Sequence, residues 1–141
     1  MKTSLALTII LFSTTFTFAQ DNDKVTYAQS ENRPFSPAVT VGNTIYLSGM
    51  IGAENGELVS GGIIAETKQV LENIKRILEQ NGSSMDKVVK CTCMLADIDE
   101  WEKMNSEYVK YFPKNKPARS AFGASGLARG ARVEIECIAV K

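Results

Sequence analysis

The chain has 141 residues, 44% hydrophobic and 23% charged, with 16 Lys+Arg against 16 Asp+Glu and no histidine. That length and mix describe one ordinary globular domain, and the charge balance leaves no electrostatic footprint for a nucleic-acid backbone or an anionic membrane. The missing imidazole excludes Ser-His-Asp and Cys-His catalysis and removes the commonest ligand of catalytic zinc.

In chain order, residues 1–19 read as a cleavable secretory leader: Lys2, an apolar run over 5–12, then Thr17 and Ala19 at the small-residue positions before the cut. The run is too short, and too rich in Ser and Thr, for the ~20 apolar residues of a membrane span, so no stable membrane anchor is expected. The mature chain is then exported, periplasmic or extracellular. Lys2 is the only charge removed, which leaves a net charge of −1.

Residues 20–37 are polar and carry Pro34 and Pro37, which suits an extended N-terminal segment ahead of a domain over 38–141. Residues 38–41 and 44–48 read as a hairpin about Gly42-Asn43, and the chain passes Gly49 into a second turn at Glu54-Asn55-Gly56. Val70, Leu71, Ile74, Ile77 and Leu78 then fall on one stripe of a helix stopped by Asn81-Gly82.

"DKVVKCTCMLAD" is rich in β-formers and predicts a central strand closed by Asp97. A second helical pattern follows, with Asp99 as candidate N-cap and Trp101, Met104, Tyr108, Tyr111 and Phe112 toward the core. Strands over 120–122 and 132–140 flank the flexible "GASGLARG". The order β-β-β-α-β-α-β-β predicts an α+β domain, a mixed sheet with both helices on one face. In the last strand Ile135, Cys137 and Ala139 alternate with Glu134, Glu136, Ile138 and Val140, so both faces are partly apolar. The cheapest cover for the helix-free face is another subunit.

Cys91, Cys93 and Cys137 are an odd number in strands rather than a disulfide framework. Cys91 and Cys93 share a side of one strand with Cα atoms ~6.6 Å apart, near the limit for a bridge, and all three are expected as small buried hydrophobes. A metal site of cysteines alone lacks its fourth thiolate.

"NRPFSPAV", "IYLSGMI", "MNSEYVKYF", "KPARSAF" and "VEIECIAV" resemble, in the same order, the motifs of the RidA/YjgF family, the reactive-intermediate deaminases. The resemblance runs over about 33–141. It implies a chorismate-mutase-like (YjgF) β/α fold and a homotrimer with its sites in clefts between subunits. It also implies a 2-iminobutanoate/2-iminopropanoate deaminase-like hydrolase that converts enamines and imines such as 2-aminoacrylate to 2-oxo acids and ammonia. The expected partner is a small imine, enamine or 2-oxo acid, with no metal or organic cofactor and no nucleic acid.

On this reading Arg119 clamps the substrate carboxylate, since a planar guanidinium meets it with two parallel hydrogen bonds that an ammonium cannot reproduce. The competing role for Arg119 is an ion pair within a subunit interface. Glu134 matches the family's water-positioning glutamate, with Glu136 as its rival on the same face. Ser48 and Asn105 fall on positions lining or supporting the cleft, and a backbone N–H near Ala121 could hold the substrate carboxylate or nitrogen. The chain departs from the family in carrying Phe35 where many members have tyrosine, and Ala121 where many have cysteine. The alternative reading is a non-catalytic trimer binding small carboxylates, or protecting against stress, which the expected export favours. An endoribonuclease label has also been given to the family, and neutral charge argues against that activity here.

Overall fold

The computed structural model describes residues 24–30 and 33–141, so the leader expected at residues 1–19 lies outside the described residues. Within the segment expected only to be extended, β1 (Val25–Tyr27) is a strand that pairs antiparallel with β2 (Ala38–Val41), Val25 opposite Val41 and Tyr27 opposite Val39. Gly42 turns β2 into β3 (Thr44–Leu47) as the alternation suggested. β4 (Met50–Ile51), β5 (Ala53–Glu54) and β6 (Glu57–Leu58) follow. Asn55 (φ 50) and Gly56 (φ 88) close the β5–β6 hairpin, both left-handed, as a two-residue hairpin turn of the Asn-Gly kind requires.

α1 (Gly62–Gln80) starts ahead of the stretch read as helical and stops where Asn81 returns its backbone N–H to the Ile77 and Leu78 carbonyls. Its stripe buries Val70, Leu71, Ile74 and Leu78 completely, each contributing about 1.5–3 kcal/mol of transfer free energy. Asn73 donates to the carbonyls of Ile51 (3.3 Å) and Ala53 (2.9 Å), which pins β4 and β5 onto the helix. β7 (Val88–Leu95) comes next.

Asp97, not Asp99, caps the following turn: its carboxylate accepts the Asp99 N–H at 3.0 Å, because a single 3-10 turn precedes α2 (Trp101–Tyr108). β8 (Ala118–Gly123) and β9 (Val133–Val140) complete the chain. No described helix is long and apolar enough to cross a membrane.

The main sheet runs β1-β2-β3-β9-β7-β8, with β4 also on β9. Among the described strands only β7 and β8 are parallel, as a pair joined through a helical crossover must be when the connection returns the chain to the same end. β9, the last strand, therefore lies between β3 and β7.

Both helices cover one face, and Ile45, Leu47, Cys91, Cys93, Leu95, Val133 and Ile135 meet Leu71, Ile74 and Met104 in a single core. This is the mixed-sheet architecture expected from the sequence. The opposite face is open and exposes Tyr27, Tyr46, Phe122 and Val140. One core assignment fails: Trp101 is 38% exposed, because the first turn of α2 overhangs edge strand β8 instead of the sheet's centre.

Candidate functional site

Pro117 has no backbone N–H to offer a ladder, and β8 begins immediately after it. Arg119 is thereby the second residue of an edge strand, opposite Cys91 of β7. Cys91 belongs to the core, so Arg119 points to the helical side of the sheet. There it meets a face of α2 built from Trp101, Asn105 and Tyr108, spaced i, i+4, i+7.

The guanidinium carbon lies 4.5 Å from the Tyr108 ring centroid and 5.6 Å from that of Trp101. Stacking on two aromatic faces fixes the plane of the guanidinium and leaves its donor edge free. The described ion pairs are Lys110–Glu107, Arg129–Glu57 and Arg132–Glu100, so Arg119 has no carboxylate partner among the described residues. It lines a cleft of about 330 Å³ together with Asn105, Tyr108, Val109, Phe112 and Lys116. That volume suits a small ligand.

Glu134 stands elsewhere. On β9 it is opposite Met94 of β7 and Ile51 of β4, on the open face. Between Tyr46–Ile138 and Met50–Ile135 the pairing advances four residues on one side and three on the other, a one-residue bulge through Ser48 and Gly49. The bulge brings Gly49 hard against Glu134, and a methyl group at Gly49 would collide with the carboxylate.

Ser48 donates to the Ser36 carbonyl at 2.7 Å, which holds the segment bearing the half-exposed Phe35 beside the same bulge. Phe35, Ser48 and Glu134 thus form one group. Glu136, two residues on, is exposed opposite Thr92. Ala121 is opposite Cys93, half-buried, on the same face of β8 as Arg119.

The sequence-expected residues therefore separate into two groups. Arg119 and Asn105 share the cleft on the helical face; Glu134, Ser48 and Phe35 sit on or beside the open face. Within one chain Arg119 and Glu134 are on opposite faces of the sheet. The aromatic supports Trp101 and Tyr108 were missed as site residues because apolar periodicity alone assigned both to the core.

Beneath Arg119, the Tyr108 hydroxyl is buried with no hydrogen-bond partner among the described residues, and burial, with the neighbouring Cys91, holds it neutral by raising its pKa. Among the described residues no group of three or more Cys, Asp or Glu side chains is arranged to hold a metal ion.

The sequence matches the family described as Endoribonuclease L-PSP over residues 26–141. It is 46% identical over 110 residues to a human protein named 2-iminobutanoate/2-iminopropanoate deaminase, covering 77% of this chain and 80% of the relative. Among solved structures, yeast Mmf1 superposes with a TM-score of 0.79 at 35% identity, covering 84% of this chain and 99% of the other. The YjgF gene product of E. coli gives 0.75 at 31% identity, covering 82% and 94%.

Proposed function

Because this chain belongs to the Endoribonuclease L-PSP family, the group of the RidA/YjgF proteins, we propose that it is an imine deaminase that hydrolyses 2-imino acids and 2-aminoacrylate-type enamines to 2-oxo acids and ammonia. The observation that carries this reading is the unpaired, aromatic-backed guanidinium of Arg119 at the mouth of a small cleft.

Its free edge matches a planar carboxylate in a bidentate geometry. With the acid clamped, the imine carbon faces a water held by Glu134, which takes the proton as the oxygen adds. Glu134 passes that proton to the imine nitrogen, giving the carbinolamine, which then collapses: the hydroxyl proton moves by the same carboxylate to the amino group, the C–N bond breaks, ammonia leaves, and the carbonyl of the 2-oxo acid forms.

Since Arg119 and Glu134 of one chain face opposite ways, the complete site needs Arg119 and Asn105 from one copy and Glu134, Ser48 and Phe35 from the next. A homotrimer closed over the open sheet face supplies three such clefts. We also propose that residues 1–19 export the protein. Ribonuclease activity is not part of the proposal, for the chain is neutral and has no histidine.

In the test, an amino-acid oxidase generates 2-iminobutanoate and semicarbazide traps it. Wild type suppresses semicarbazone formation; Arg119→Lys, which keeps the charge and loses the fork, loses about 100-fold or more in kcat/KM. Equal suppression by both proteins removes the clamp from the scheme. No suppression by wild type, with 2-oxobutyrate still bound, makes the protein a carboxylate-binding module.

A further inference from the structure

Cys91 and Cys137 are 46 residues apart in sequence and directly opposed in the antiparallel pair of β7 and β9. Their sulfurs are 2.9 Å apart, closer than two non-bonded sulfurs rest and within ~0.9 Å of a covalent S–S distance. Directly opposed residues of an antiparallel pair have Cα atoms ~4.5–5.5 Å apart, inside the range a disulfide spans. Cys93, on the same face, is opposite Ile135 instead and has no thiol across the ladder.

We propose that Cys91 and Cys137 are a modification site: they are joined as a cross-strand disulfide when the chain folds in the presence of a small-molecule disulfide such as oxidised glutathione. The Cys91 thiolate attacks one sulfur of the oxidant and expels one thiolate. Cys137 then gives up its proton and attacks the Cys91 sulfur of that mixed disulfide, expelling the second. Two protein thiols are oxidised, one small-molecule disulfide is reduced, and two small thiols leave with the two protons.

Once β7 and β9 have paired but before the core has closed over them, the Cys91–Cys137 contact already favours Cys91 as the first nucleophile. Its thiol is held below the ordinary value by the hydrogen bond with Cys137, with the Tyr108 hydroxyl, Lys90 and Arg119 adding to that effect against the opposing influence of burial. Cys137 is pushed well up by the same hydrogen bond and by burial. Cys93 is pushed up to about 12, chiefly by burial.

Both partners are buried, so the oxidant reaches them before the sheet closes and not afterwards. The bond ties β7, whose Cys91 is also the neighbour of Arg119, to β9, which carries Glu134. The proposal does not depend on the deaminase reading.

The test refolds the reduced, denatured full chain in a mixture of reduced and oxidised glutathione, alkylates remaining thiols, and maps tryptic peptides by mass spectrometry. One link is expected between the peptides holding Cys91 and Cys137, with a loss of 2 Da and Cys93 alkylated. Because Cys91 and Cys93 fall in one peptide, Cys93→Ala and Cys91→Ala assign the link: the first variant keeps it and the second loses it. Oxidised wild type should melt about 10 °C above the reduced form, and Cys137→Ser should show no difference between the two conditions. Folded, reduced protein placed in the same mixture should link far more slowly than refolding protein.

Refolded wild type with three alkylated cysteines, or with glutathione left on Cys91, overturns the proposal. So does a link that Cys93→Ala abolishes.

Discussion

Two proteins inactive for different reasons should restore each other. Arg119 and Glu134 of one chain face opposite sides of the sheet, so in the proposed assembly each cleft takes its guanidinium from one copy and its carboxylate from the next. Arg119→Lys spoils only the first contribution of a chain and Glu134→Gln only the second. When both are coexpressed in equal amounts and assemble at random, a cleft is complete when an intact arginine faces an intact glutamate, so roughly one quarter of clefts are complete in any closed ring. If misplacing either group costs ~100-fold, that quarter stands about 25-fold above the activity of either variant alone. With different affinity tags on the two chains, mixed assemblies can be isolated and measured by semicarbazone trapping. Recovery no greater than the better single variant would refute the shared site, because a cleft built within one chain is spoiled in every chain of the mixture.

Gly49→Ala should lower kcat/KM about 100-fold while shifting Tm by no more than a few degrees. The new methyl displaces only the tip of the flexible Glu134 side chain, by ~1 Å or more, and normal turnover by a folded variant would remove Glu134 from the role of holding water. Tyr108→Phe removes a buried hydroxyl without a hydrogen-bond partner and keeps the ring under Arg119, so thermal melting should show unchanged or slightly raised stability, by up to ~1 kcal/mol, with turnover retained. A substantial fall in Tm would mean that the hydroxyl is satisfied through the Cys91 thiol. Alkaline titration is the fourth case. Cys93 is raised from 9.0 to about 12, so its contribution is complete below pH 9 and is lost at about 1.4 kcal/mol per pH unit as the pH climbs through that window. Denaturant unfolding in reducing buffer at pH 8 and 10.5 should show a smaller loss for Cys93→Ala than for wild type; equal losses would place the alkaline sensitivity elsewhere.

Short-range pattern carried the fold a long way. The α1 stripe, the Asn-Gly turns and the alternation of β9 are each set by neighbours within a few residues, and each stands where the periodicity predicts. What depends on pairing between distant segments was not legible. The three residues of β1 become a strand only because Val41 and Val39 offer them an edge. The opposition of Cys91 to Cys137, in place of the neighbouring Cys93, follows from a register between strands separated by a helix and a crossover. Motif order singled out Arg119 and Glu134 as candidates, but neither motif says that a parallel β8 and an antiparallel β9 turn the two side chains to opposite faces. Trp101 likewise follows the core spacing of α2 and is exposed because the strand beneath it is an edge.

The central place of β9 also makes the two sides of the sheet depend on each other. Thr44 of β3 pairs with Val140, Val88 of β7 pairs with Ala139, and the Lys141 N–H reaches the Asn43 carbonyl at 2.9 Å. Without β9, β1–β3 and β7–β8 are two half-sheets with nothing between them, and the long-range contacts that outweigh the chain's lost entropy are unmade. Neither half-sheet can complete its pairing alone, so the two halves form and are lost together, and a break in the β9 ladder on either side loosens both.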